Sequence, residues 1–284
     1  MNKNILVTGA NGQLGRSLQK IKPMYGDYMF YFTDIDTLDI CDQRQLTDFV
    51  HSNEINYLLN CAAYTAVDKA EDDREHCMRI NRDAVHHIGK VATAEGIKVI
   101  HISTDYVFDG TATRPYREED NTNPQSFYGQ SKLDGEIALQ KVCPDAAIIR
   151  TSWLYSEYGA NFVKTMLRLG IERSEIKVVC NQTGSPTYAE DLATAIMTMI
   201  LHKPFLPGIY HFANEGVCSW YDFAVKIMEL ADLNCQVYPI QTQEYPTRAI
   251  RPAYSVLDKG KIKSACNLLI PQWEDSLEKC LMCL

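Results

Sequence analysis

The chain of 284 residues reads as an α/β protein built on a doubly wound parallel sheet, with a smaller C-terminal lobe. Two observations predict this. Strand-like and helix-like segments alternate three times in roughly the first hundred residues. The first strand also runs directly into a glycine-rich turn that opens a helix, the junction where such sheets hold phosphate groups. Composition agrees: 46% hydrophobic residues is ordinary for a globular protein and argues against extended disorder. The net charge of −8, with no basic tract to offset it, disfavours nucleic acid as the main partner.

Asn4 to Thr8 is a short apolar run rich in branched residues and bounded by Gly9, as a buried strand requires. The turn from Gly9 to Gly15 follows, with Leu14, Leu18 and Ile21 at helical spacing behind it. Gly9 allows the tight turn, Gly12 lets backbone approach a pyrophosphate, and Gly15 lets the helix pack closely on the strand. The spacing is G-x-x-G-x-x-G rather than the G-x-G-x-x-G of many dehydrogenases. With a strand before and a helix after, it predicts a Rossmann-type dinucleotide site.

Tyr28 to Thr33 is the second strand and ends at Asp34. A carboxylate there suits the adenosine ribose hydroxyls and would repel a 2′-phosphate, which favours NADH over NADPH. Asp36 and Asp39 lie close by and share the assignment. Gln43 to His51 reads as a helix. Leu58 to Ala63 is the third strand, and the small Ala62 and Ala63 let a cofactor approach its end. The acidic stretch Glu71 to Glu75 opens a long helix, with Ile80, Ala84 and Ile88 facing the sheet and Gly96 ending it. Lys98 to Ser103 is the fourth strand, with Thr104 and Asp105 at its carboxyl end, where open α/β sheets bind ligands.

A long polar loop from Tyr106 to Gln125 precedes a helix from Tyr128 to Cys143. Tyr128 and Lys132 lie four residues apart, about one turn on the same face. A phenol titrates near pH ~10, and an ammonium a few ångströms away lowers that value. The pair can thus act as a tuned acid or base. Taken alone, the spacing also fits a surface Tyr and Lys. Ala146 to Arg150 is the fifth strand, with Trp153 past its ligand-facing end; core packing is the commoner fate of a Trp.

Ile176 to Cys180 and Gly208 to Phe212 are expected to complete the large sheet, with a helix from Tyr188 to Leu201 between them. This places 1–150 and 171–214 in the dinucleotide-binding domain, and 151–170 and 215–284 in a substrate-binding lobe. The lobe includes a helix from Ser219, its N-cap, to Leu230 and a strand from Gln236 to Ile240. Closure of the lobe over the sheet makes a cleft. Arg248 and Arg251 either meet a diphosphate there or form surface salt bridges.

The ten cysteines are scattered. Cys61, Cys180 and Cys218 sit in apolar or strand-like surroundings as small hydrophobes. Cys280 and Cys283 alone have a metal-like or redox-like spacing, without a second pair, so no metal site is expected. Reduced thiols and a cytoplasmic location fit best. The chain begins without a basic segment followed by a long apolar run, so no signal peptide is expected. No apolar run approaches the ~20 residues needed to span a bilayer, and no membrane association is expected.

The Gly9–Gly15 turn, the segment from Ser103 to Phe108 and the Tyr128/Lys132 pair together resemble an extended short-chain dehydrogenase/reductase. Ala62 to Glu71, Arg150 to Tyr155, Asn161 to Leu167 and Arg251-Pro252 resemble, more narrowly, the dTDP-4-dehydrorhamnose reductase family. The resemblance implies NADPH or NADH as cofactor and a small-molecule sugar nucleotide as substrate. It implies that Tyr128 is the proton donor. Lys132 would be its partner and also hold the nicotinamide ribose, and Thr104 would stand near the substrate oxygen. Thr104, Asp105 and Trp153 would contact the sugar nucleotide. Gly9, Ala10, Asn11, Gly12, Gln13, Leu14, Asp34, Asp39, Ile40, Ala62, Ala63, Tyr64 and Thr65 would line the cofactor.

Two departures stand out: Asn181 replaces the family's usual Asp, and Gly15 replaces a larger residue found in some members. Members have been linked to a metal-dependent dimer through surface carboxylates. No clear matching set occurs here, so the resemblance allows a homodimer but not a metal bridge. Two other functions share the fold. A nucleotide-sugar epimerase or dehydratase would regenerate its NAD within the cycle, and a dehydratase would carry Glu beside Thr104-Asp105. A non-catalytic regulatory subunit would bind a partner enzyme, and the intact Thr104/Tyr128/Lys132 set speaks against that reading.

Overall fold

Six parallel strands form the central sheet of the computed structural model, which describes residues 3–284. Residues 1 and 2 of the predicted first domain lie outside the described residues. The strands are β1 (Lys3–Thr8), β2 (Tyr28–Thr33), β3 (Tyr57–Asn60), β4 (Lys98–Thr104), β5 (Ala147–Thr151) and β10 (Gly208–Phe212), in spatial order β10-β5-β4-β3-β1-β2. The chain steps from β1 outward to β2, then returns to the other side of β1 as β3. That reversal opens a crevice at the carboxyl ends of β1 and β3, where ligands bind in such sheets.

Alternation along the strands sends side chains to two faces. Ile5, Val7, Leu59, Ile100 and Ile149 pack on one face with α1 (Gln13–Ile21), α8 (Ala189–Leu201) and α10 (Gly260–Cys266). Leu6, Leu58, Val99 and Ile148 pack on the other with α2 (Gln43–Ser52), α5 (Ala84–Glu95) and α6 (Phe127–Val142). The near-continuous burial of these strands follows from helices covering both faces.

The long helix expected from Glu71 to Gly96 is interrupted. It runs as α3 (Val67–Ala70), α4 (Arg74–Met78), a π-helical turn over Arg79–Asp83, then α5. Gly96 ends it in the left-handed region at φ 67°, as the sequence predicts. The interruption has a physical reason in buried Asn81. Its side chain receives the Tyr64 N–H at 2.9 Å and donates to the Tyr64 carbonyl at 3.1 Å and the Ser131 hydroxyl at 2.9 Å. The widened turn lets one amide tie three elements together. The third strand is shorter than expected and stops at Asn60, because only Tyr57–Asn60 find partners on β4.

A second correction concerns β7 (Glu175–Val179). Expected in the large sheet, it pairs instead in parallel with β12 (Gln236–Ile240). Its Ile176 and Val178 pack in a separate core with Tyr155, Val163, Phe223 and Trp273. That core joins α7 (Phe162–Glu172), α9 (Trp220–Leu230) and α11 (Trp273–Leu281). Short pairings, β6 (Leu154–Tyr155) with β9 (Thr187–Tyr188) and β8 (Thr183–Gly184) with β11 (Cys218–Ser219), complete the lobe beside the sheet's carboxyl edge. Among the described residues no helix is long and apolar enough to cross a membrane.

Candidate active site

A cavity of about 780 Å³ lies along the carboxyl edge of the sheet and is closed on one side by the lobe. Its floor begins at the glycine turn. Gly9 has φ +67°, and a Cβ there would lie 2.6 Å from the Ala62 nitrogen, so both the turn and the neighbouring strand end require glycine. The Gly12 N–H closes the turn on the Gly9 carbonyl at 3.1 Å. Gly12 caps α1 without a side-chain hydrogen bond, which leaves the first N–H groups of the helix for an anion. A Cβ on Gly15 would come within 2.5 Å of the Gly9 carbonyl, so glycine there sets the depth to which the helix sinks.

Gly9, Gly12, Gln13, Leu14, Asp34, Asp39, Ile40, Ala62, Ala63 and Thr65 all line this cavity. Asp34 is held by two backbone donors, Asn11 N–H at 2.8 Å and Ile35 N–H at 2.9 Å. Asp39 receives the Cys41 N–H at 2.8 Å and stands 3.5 Å from Arg79. Ala10, Asn11 and Tyr64 stand behind the wall rather than in it. The Ala10 N–H ties the turn to Thr33, Asn11 holds Asp34, and the backbone of Tyr64 is clamped by Asn81. The glycine cradle, the uncapped helix and the carboxylate at the end of β2 together fit a dinucleotide. So does the buried Ser103 hydroxyl on the cavity wall, which has no partner in the protein.

Ser126 caps α6 by accepting the Gly129 N–H at 3.1 Å, and the first turn of that helix carries Tyr128 into the cavity. Lys132 follows one turn later and is 1% exposed. Tyr128, Lys132, Thr104, Asp105 and Trp153 thus share one cavity although they come from three parts of the chain. The electrostatics differ from the sequence expectation. Burial pushes the Tyr128 phenol well above its ordinary value, and the group that opposes this is the nearby Thr104 hydroxyl. Lys132 does not act on the phenol here. Its ammonium donates to the Ile102 carbonyl at 2.7 Å and lies 3.5 Å from His101 Nε2. Burial lowers Lys132 to about 8, with Glu136 pulling the other way.

Asp105 is also buried. Burial raises its carboxyl from 3.8 to about 6, against the nearby Ser255 hydroxyl and a hydrogen bond from the Thr104 hydroxyl at 3.1 Å. The native state therefore holds this proton more tightly than the unfolded chain does. The stability this gives is complete below pH ~4 and is lost as pH rises through ~6. Asp105→Asn is expected to stabilise the protein above pH ~6 by about 3 kcal/mol and to leave it unchanged below pH ~4. Thermal midpoints of both proteins across that range provide the check.

Trp153 has φ +48°, an uncommon conformation for a bulky residue. It is held there by Trp220, stacked at 3.6 Å and 8°, with Phe162 on the same cluster. Gly184 makes room: a Cβ there would lie 2.6 Å from the indole. Trp153 therefore packs one face on Trp220, as the core reading expects, and also lines the cavity. Gly184→Ala is expected to displace the indole at a cost of about 1–3 kcal/mol, read as a roughly 5- to 150-fold higher KM for a substrate that meets Trp153. Dinucleotide affinity at the glycine cradle, measured by fluorescence titration, should stay unchanged.

Sequence reasoning missed several groups. Gln13 was assigned to the cofactor, yet its amide also stitches α1 to the lobe: Nε2 donates to Leu154, and Oε1 accepts from Ser156 and Asn161. Asn161 also lines the cavity, within a stretch noted above only for resemblance. Arg248 and Arg251 take the surface alternative. Arg251 pairs with Asp68 at 2.7 Å and Arg248 with Asp72, and neither lines the cavity.

The chain matches the family model described as RmlD substrate binding domain over residues 3–284. The chain belongs to the RmlD family. It is 40% identical to the spore coat polysaccharide biosynthesis protein SpsK of Bacillus subtilis (strain 168), over 98% of this chain and 96% of that protein. It is 39% identical to the dTDP-4-dehydrorhamnose reductase of Escherichia coli (strain K12), over 98% and 97%. The crystal structure of dTDP-4-dehydrorhamnose reductase from Bacillus anthracis str. Ames in complex with NADP superposes with a TM-score of 0.96 at 40% identity and covers both chains completely. These RmlD relatives span the sheet and the lobe alike, so the resemblance extends over both walls of the cavity.

Proposed function

We propose that the chain is an NAD(P)H-dependent oxidoreductase that reduces the C4 ketone of dTDP-4-dehydro-L-rhamnose to dTDP-L-rhamnose, a step in nucleotide-sugar synthesis for polysaccharide. The observation that carries the mechanism is the convergence of Tyr128, Lys132 and Thr104 with the glycine cradle in one cavity. Bound NAD(P)H supplies the hydride. The free N–H groups of α1 would hold its pyrophosphate, and the carboxylate of Asp34 would meet the adenosine ribose. Lys132 would hold the nicotinamide ribose. As negative charge grows on the ketone oxygen, Tyr128 gives up its proton, with the Thr104 hydroxyl as its neighbour. Burial holds the Tyr128 proton in place until that charge develops. Trp153 and Asp105, which line the same cavity, would contact the sugar nucleotide.

Net oxidation of NADPH or NADH, followed by loss of its absorbance with freshly prepared dTDP-4-dehydro-L-rhamnose, tests this reading. Stoichiometric oxidation with formation of dTDP-L-rhamnose is the expected result. Turnover of a sugar nucleotide without net oxidation would identify an epimerase or dehydratase instead. Binding of the cofactor with no turnover, and with an enzyme captured in stoichiometric amount, would identify a regulatory subunit.

A further inference from the structure

Three buried polar side chains stand in a row behind Lys132. Thr8 is opposite Asn60 in the β1–β3 ladder, and Asn60 is opposite His101 in the β3–β4 ladder. Register alone therefore points the three side chains to one face, near the carboxyl edge of the sheet. The contacts are continuous. Thr8 Oγ1 donates to Asn60 Oδ1 at 2.7 Å, Asn60 Nδ2 meets His101 Nδ1 at 2.9 Å, and His101 Nε2 faces Lys132 Nζ at 3.5 Å. Thr8 and Asn60 are each 1% exposed and His101 is fully buried, so water does not complete the chain.

We propose that His101, oriented by Asn60 and Thr8, is a positioning residue that holds the Lys132 amine in place and matches its own tautomer to the charge state of that amine during reduction. The chain has two polarities. In one, Thr8 donates to Asn60, Asn60 donates to His101 Nδ1, and the imidazole proton on Nε2 points at an uncharged amine. In the other, the ammonium of Lys132 donates to Nε2, Nδ1–H donates to a rotated Asn60 amide, and that amide donates to Thr8. Each polarity pairs donor with acceptor at every link of the chain and matches one charge state of Lys132. A charged amine facing an Nε2–H would oppose two donors in a dry site.

The remaining surroundings of Lys132 support this assignment. The Ile102 carbonyl takes one of its protons from β4. Cys61 beyond β3 and Cys77 on α4 face it as thiols whose own proton loss is disfavoured by burial. Glu136 on the same helix, ion-paired with Arg150 of β5, still favours the charged amine, and Tyr128 precedes Lys132 by one turn. His101 is thus the neutral group in direct line with the amine, and burial with the nearby Lys132 keeps its imidazole uncharged well below its ordinary value.

The test compares His101→Leu with His101→Gln, whose amide can still accept or donate at similar reach. It rests on the reductase reading for its kinetic arm. Loss of the acceptor should make the ammonium easier to deprotonate, so for His101→Leu the alkaline limb of kcat moves down by about one pH unit. At high pH, kcat then falls about tenfold, while KM for the sugar nucleotide is unchanged. His101→Gln should keep the wild-type limb. A merely structural role would lower kcat equally at every pH, and an unshifted limb in His101→Leu overturns the proposal.

A second measurement needs neither turnover nor a folded Leu variant. In ¹⁵N-histidine-labelled wild-type protein, with His101 assigned through His101→Gln, the Nδ1 and Nε2 signals should exchange donor and acceptor character as Lys132 titrates. One unchanging tautomer across that titration also overturns the proposal. Because this arm uses no substrate, its failure is distinguishable from failure of the reductase reading.

Discussion

Tyr128→Phe lowers kcat by about 10²- to 10⁴-fold, the span that general acid catalysis supplies, while NADPH affinity and the KM for sugar nucleotide change little. The substitution removes one hydroxyl and keeps the ring. The edge-on contact with Tyr106, 5.6 Å between centroids, and the packing beside Cys77 and Ala70 survive. The cavity keeps its shape, so the loss falls on the proton transfer. Initial rates and a fluorescence titration of NADPH measure the two halves of this expectation. A variant that turns over at near wild-type rate removes Tyr128 from the proton-donor role and leaves the cofactor site untouched.

Arg150→Met destabilises the fold by about 3–5 kcal/mol, because it leaves the Glu136 carboxylate buried without its partner. Arg150 on β5 grips Glu136 on α6 through contacts of 2.7, 3.0 and 3.2 Å, and the two side chains are 3% and 2% exposed. Its guanidinium also lies 5.1 Å from the Phe108 ring. Adding Glu136→Gln removes the stranded charge and should recover most of the loss. Urea unfolding midpoints of the two variants provide the measurement. A single variant within about 1 kcal/mol of wild type would mean that water or another cation reaches Glu136. This ion pair fixes α6 to the sheet one turn beyond Lys132, so it also bears on the geometry of the site.

Much of this architecture was legible because its signals are local. The run Asn4 to Thr8, the glycine turn and the helical spacing behind it lie within twenty consecutive residues of sequence and form β1, the cradle and α1. Ser219 is the N-cap of α9, and its capping box with Asp222 is complete in the structure. Features that depend on partners distant in sequence were not legible. Ile176 to Cys180 has the pattern of a buried strand, but nothing in that pattern says which strand it meets. Pairing with β12 across some sixty residues decided it. The π turn at Asn81 likewise answers to Tyr64 and Ser131, not to its neighbours in sequence. His101 drew no attention because one histidine in an apolar strand carries no spacing signal; only the register with Asn60 gives it a role.

The sequence by itself determined the alternation of strands and helices, the phosphate cradle and the placing of Tyr128 one helical turn before Lys132. Each follows from steric and periodic rules that act over a few residues. Tertiary structure alone decided what those side chains face. It brought the Thr104 hydroxyl near the phenol, gave the amine to Ile102 and His101, and set Trp153 against Trp220. The reason is that burial and hydrogen-bond partners set proton affinity, and both come from segments that meet only when the sheet and the lobe are assembled.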